Sequence, residues 1–114
     1  MDPYVRYKGR EVRLRYRLRD VEELDNWCRR TYGVGLDGLQ NMPIALASRT
    51  LYYAMRAEMP DLDPETFLDV VPPEEIRPML EAGAQALENF FRAFAGESAE
   101  RVEKKRSPMR SSSS

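Results

Sequence analysis

The sequence predicts an α+β fold: an N-terminal antiparallel β-hairpin packed on a bundle of about four helices, followed by a disordered C-terminal tail. Three observations lead there. Val12, Leu14, Tyr16 and Leu18 alternate with Arg13, Arg15, Arg17 and Arg19, the period-two pattern of a half-buried strand. Asn41 to Glu58 is apolar on most sides, with Ile44, Ser48, Leu51 and Met55 on one face and Leu46, Ala47, Tyr53 and Ala54 beside or behind it. A helix of that kind is covered from more than one direction. Finally, 114 residues suffice for one domain with one modest core, assigned to residues 1–96, with 97–114 as a flexible tail.

The hairpin spans Tyr4 to Arg19. A two-residue turn at Gly9–Arg10 sets Tyr7 opposite Val12 and Val5 opposite Leu14, so both pairs lie on the apolar face. An isolated hairpin is not stable, so that face must rest on helices. Asp20, as N-cap with Glu23 three residues on, opens a first helix over about Val21 to Tyr32, closed by Gly33 at C′. A loop with Gly33, Gly35 and Gly38 follows, pinned by Val34, Leu36 and Leu39.

The central helix takes Asn41 as N-cap, tolerates Pro43 in its first turn and stops at Pro60. Asp63, Pro64 and Glu65 form a start signal for a short third helix with Phe67, Leu68 and Val71 buried. The last helix runs to about Ala95, with Gly96 as its end. Pro78 requires either a separate turn over Pro73 to Arg77 or a bend. Ala82, Ala84 and Ala86 around Gly83 allow close approach to another helix, the central one being the expected neighbour. From Glu97 onward Val102 and Met109 are the sizeable apolar side chains, too few to offset the entropy of ordering.

The net charge of −1 conceals a segregation. Residues 1–19 carry seven Lys/Arg against two Asp/Glu, residues 20–95 six against fourteen, and residues 96–114 five against three. Such a pattern favours pairing between parts of the chain or between copies. The single cysteine, Cys28, permits no intramolecular disulfide and fits a reducing compartment. No apolar run has signal-peptide or membrane-spanning length, so the expected location is the cytosol, without membrane contact.

Candidate chemistry is sparse. The chain has no histidine, which removes the usual general base and the commonest transition-metal ligand. Cys28, beside Trp27 on the inner side of the first helix, reads as a buried structural thiol. Asp61, Asp63, Glu65 and Asp69 lack the glycine and the spacing of a calcium loop, and helix capping accounts for them better. Gly33 and Gly35 follow a helix rather than a strand and have no lysine beside them, which speaks against phosphate binding. No catalytic residue, metal ligand or cofactor is expected.

Two surfaces remain. Arg6, Lys8, Arg13, Arg15, Arg17 and Arg19 form a basic ribbon suited to self-association with the acidic helical part of another copy, or to nucleic acid. Nucleic acid is the lesser use, because Tyr7 and Tyr16 point to the other face and leave no stacking aromatics on the ribbon. The second surface draws on Tyr52, Tyr53, Phe90, Phe91 and Phe94. Phe90 and Phe94 share a face, Phe91 stands off it, and Tyr52 and Tyr53 point in different directions. Most of these rings are core, with one or two left for a partner surface.

The order of elements is itself informative. A short strand, the Lys8–Arg10 turn, an arginine-alternating strand and D-V-E-E-L (Asp20 to Leu24) come first. A-L-A-S-R-T-L-Y-Y-A-M-R (Ala45 to Arg56), M-P-D-L-D-P-E-T-F-L-D-V-V (Met59 to Val71), V-P-P-E-E and an alanine-rich helix follow. Over residues 4–95 this layout resembles the tail assembly chaperones of long-tailed, siphovirus-like bacteriophages and related tail-like particles. The resemblance implies a short, non-enzymatic protein of the host cytoplasm, absent from the mature virion. It would bind the tape measure protein and keep it soluble until tail tube subunits polymerise around it. In many such families a frameshifted longer product recruits the tail tube protein; Lys104–Lys105, if encoded by a run of adenines, would suit slippage. The family has no invariant binding motif, so the resemblance assigns no site residue. Homo-oligomers and many weakly bound copies along the client fit the same picture. The alternative from a different class is a small nucleic-acid-binding regulator using the arginine-rich hairpin face.

Overall fold

A computed structural model describes residues 2–39 and 41–113, with side chains described through Gly96 outside that gap. Strands β1 (Tyr4–Tyr7) and β2 (Arg10–Arg13) pair antiparallel, with Val5 opposite Val12 and Tyr7 opposite Arg10. The turn is therefore Lys8–Gly9, not Gly9–Arg10. Both registers bury the same side chains, because they differ by two residues in pairing and the side-chain period is two. The turn decides: Lys8 (φ 52°) and Gly9 (φ 75°) both adopt positive φ, the primed geometry that matches strand twist. Arg10 then falls at the rim of the apolar face and reaches Glu58 at 3.8 Å.

The expected alternation holds past the strand. Val12, Leu14 and Tyr16 are buried while Arg13, Arg15 and Arg17 are exposed, although β2 ends at Arg13. Beyond it the extended chain bonds Leu14 N–H to the Pro3 carbonyl (2.9 Å) and Arg15 N–H to the Ala54 carbonyl (3.2 Å). Leu18 is exposed and, with Arg19, belongs to α1 (Leu18–Tyr32) rather than to the hairpin.

Helix α1 starts earlier than expected. Arg17 is the N-cap, and Asp20 sits at N3, where its carboxylate accepts the Arg17 backbone N–H at 3.0 Å, the return half of a capping box. Gly33 ends the helix as expected, left-handed at φ 81°, its N–H donating to the Arg29 carbonyl at 3.0 Å. In the glycine loop, a 3₁₀ turn over Leu36–Gly38 is tied back by the Leu36 N–H to Asp25 (2.8 Å). Leu36 and Leu39 rest on the body as expected, whereas Val34 is exposed.

Helix α2 (Ile44–Met55) occupies the middle of the domain, packed on α1, on the hairpin and on α3 (Pro73–Ser113). Asn41 does not cap it; Pro43 does. A residue before proline is disfavoured in helical geometry, so Met42 is excluded and the helix opens beyond Pro43. Leu51, Ala54 and Met55 are fully buried, whereas Ile44, expected on the same inner face, is 80% exposed in the first turn. Residues 56–58 form a turn, so the helix stops short of Glu58.

The short third helix is a 3₁₀ turn over Phe67–Val70, which leaves three α-helices among the described residues rather than about four. Pro64 and Pro72 bracket too few residues for a stable α-helix. Asp63 does not cap the segment: the N-cap is Thr66, without a side-chain cap bond, and the Asp63 carboxylate instead accepts the Glu65 N–H at 2.9 Å in the turn before it; Phe67 is buried as expected. Pro73 to Arg77 is the first part of α3 and not a separate turn; Pro78 lies within the helix. Gly96 also lies within α3 instead of ending it, since glycine costs a helix about 1 kcal/mol without terminating it. The expected flexible tail, 97–114, falls outside the residues whose side chains are described. Gly83 lets α3 sit close on α2: a Cβ there would stand 2.8 Å from the Leu51 Cα.

Candidate functional site

The most concentrated charge lies where α1 begins. Asp20 is fully buried, and its carboxylate accepts Arg17 Nε at 2.9 Å, Arg17 Nη2 at 3.1 Å and Arg56 Nη2 at 2.6 Å. Arg56 also bonds Glu23 and lies 4.8 Å from the Tyr53 ring centre and 6.0 Å from that of Tyr52. Burial by itself pushes Asp20 up; the hydrogen bonds from Arg17 and Arg56 outweigh it and hold the carboxyl below its ordinary value. Glu23 is lowered by its hydrogen bond from Arg56. A carboxylate saturated with donors is a structural anchor, not a general base.

Phe90, Phe91 and Phe94 gather on α3 where it leaves the core. The Phe90 and Phe94 rings stack with centres 5.8 Å apart at 14°, as their four-residue spacing allows, and Phe91 meets Phe90 edge-on at 5.8 Å. Phe90 is half-buried, whereas Phe91 is 41% and Phe94 52% exposed. Phe91 also borders a shallow groove with Val21 and Leu36, rimmed by Glu22, Asp25, Asp37 and Arg29. The two tyrosines are elsewhere. Tyr53 is buried and Tyr52 half-buried; their rings meet edge-on at 4.9 Å, and Tyr52 also contacts Phe67. Of the five aromatic candidates, the structure brings the three phenylalanines together and exposes two of them.

The basic ribbon is shorter than its sequence pattern. Arg13 is held by Asp2 at 2.6 Å and Arg17 by Asp20, while Arg19 lies on α1. Arg6 donates to the Gly9 carbonyl at 3.3 Å, and Lys8 sits 5.7 Å from the Tyr7 ring centre. Arg6, Lys8 and Arg15 remain exposed without an ion pair among the described residues.

Cys28 is fully buried, and desolvation pushes its thiol up, which disfavours the thiolate. Glu65 of the acidic run pairs with Arg49 at 2.7 Å, and Arg49 also lies 4.9 Å from the Trp27 ring centre. Among the described residues no group of acidic or cysteine side chains is arranged to hold a metal ion, and no buried side-chain polar atom lacks a partner. The Asp20–Arg56–Glu23 cluster escaped sequence reasoning because Arg56 is far along the chain. Its one legible signal was the acidic start of α1.

Comparison with protein-family models, curated proteins and solved structures finds no match to this chain.

Proposed function

We propose that the protein is a tail assembly chaperone of a long-tailed bacteriophage, which binds the tape measure protein and keeps it soluble during tail assembly. The observation that carries this reading is the exposed Phe91–Phe94 edge of α3 beside an acid-rimmed apolar groove. A long amphipathic helix offers a matching ligand: an apolar stripe for the phenylalanines and basic flanks for Glu22 and Asp37, Asp25 being held by Arg29 and the Leu36 N–H. The layout of residues 4–95 supplies the family resemblance. The mechanism is competitive binding. Copies cover successive apolar stripes of the client, and polymerising tube subunits displace them by mass action.

Co-expression with the long helical protein encoded immediately downstream, followed by size-exclusion chromatography, tests the proposal. Co-elution, with a client that precipitates when expressed alone, supports it. A client equally soluble alone, with nothing co-eluting, overturns it. Salt-dependent binding of a DNA duplex, lost when Arg6, Lys8 and Arg15 are replaced together, would turn attention to the regulator reading instead.

A further inference from the structure

We propose that the outer edge of β1 is a self-association site, at which a second copy of this chain adds its own β1 antiparallel across a two-fold axis. In a two-residue hairpin the residues flanking the turn exchange hydrogen bonds, and such pairs then alternate with non-bonded ones. Tyr7–Arg10 and Val5–Val12 are therefore bonded pairs, and the Leu14 N–H to Pro3 bond continues the series. The N–H and C=O groups of Tyr4 and Arg6 point away from β2, and among the described residues no hydrogen bond occupies them. Unpaired edges of this kind accept added strands.

The side chains favour a second copy in one register. With Val5 opposite itself on the axis, the outward groups of each Tyr4 meet those of the second copy's Arg6, completing four backbone hydrogen bonds. Tyr4 and Arg6 are exposed on one face, so each guanidinium lies against a tyrosine ring instead of another guanidinium. Shifting the register toward the turn sets Arg6 against Arg6, and like charges directly opposite are disfavoured. Glu74 and Glu75 line the groove along this edge with Pro78 and Met79, exposed and without an ion pair among the described residues. They lie beside the strand a second hairpin would add, whose cations without an ion pair among the described residues include Arg6 and Lys8. Four short hydrogen-bonding partners per edge make a weak contact, suited to copies that gather along a client and are later displaced.

Sedimentation equilibrium of the full chain over a concentration series tests this. Arg6→Pro removes an outward donor without touching the hairpin ladder, and Tyr4→Lys sets an ammonium against the second copy's guanidinium. The expected result is a concentration-dependent dimer whose midpoint rises at least about tenfold in either variant, with circular dichroism unchanged. Val5→Cys should give an interchain disulfide under mild oxidation. If Arg6→Pro does not fold, Tyr4→Lys decides. A wild-type chain that stays monomeric to about 1 mM, or a dimer indifferent to both substitutions, overturns the assignment. Neither position touches Phe91 or Phe94, so failure here leaves the client reading standing.

Discussion

Asp20 shows how much one side chain can organise. It returns the Arg17 N–H at the start of α1, neutralises two guanidiniums, and through Arg56 ties α1 to the end of α2. Replacing it by alanine leaves Arg56 with Glu23 alone and strips the N-cap bond. The expected loss is about 3 kcal/mol of unfolding free energy, measured by urea denaturation, because breaking a buried pair strands a charge. Asp20→Asn should lose less, since the amide oxygen still accepts a hydrogen bond. Tyr16 carries a smaller share, its hydroxyl donating to the Thr50 carbonyl at 2.5 Å. Arg56 was invisible in this role from sequence: it lies 36 residues from Asp20, and no local pattern links them.

At the scale of elements, the signals that proved legible were local and steric. The alternation Val12–Tyr16 and the left-handed Gly33 each follow from a few neighbouring residues, and each stands in the structure as expected. Register and helix count did not follow so directly. The apolar face is the same in both hairpin registers, so only the positive φ at Lys8 and Gly9 separates them. The proline spacing that shortens the segment around Phe67 to a 3₁₀ turn was on view, but the start signal at Asp63 outweighed it. Gly83 is the element-scale prediction. On an exposed helix Gly→Ala would stabilise by about 1 kcal/mol. Here the new Cβ meets the Leu51 backbone, so Gly83→Ala should instead destabilise by about 1–2 kcal/mol, read as a lowered Tm.

At the scale of the whole molecule, charge sets the pH window. Asp20, Glu23 and Asp25 all have folded values below the ordinary carboxylate range: Asp20 by its arginine bonds against burial, Glu23 by Arg56, and Asp25 by the Leu36 N–H first. A lowered folded value means stability that is complete above the unfolded pKa of about 4 and lost as pH falls through the folded values. Burial raises Tyr16, Tyr7, Tyr53 and Cys28, so their contribution is complete below their unfolded values and is lost as pH rises through the folded ones. With no histidine, stability should be flat between about pH 5 and 8 and fall on both sides, as thermal melts across pH would record.

Function also belongs to this largest scale, because it rests on which surface the packed helices leave uncovered. The sequence offers five aromatic rings and a basic ribbon for that surface; among the rings, packing hides Tyr53 while leaving Phe91 and Phe94 outward. The most direct measurement is a titration of the tape measure protein's amphipathic segments against wild type and the Phe91→Ser/Phe94→Ser double variant. Saturable binding by wild type, weakened at least about tenfold in a variant with an unchanged melting curve, is the predicted result. Equal binding by both proteins, or none by wild type, would contradict it.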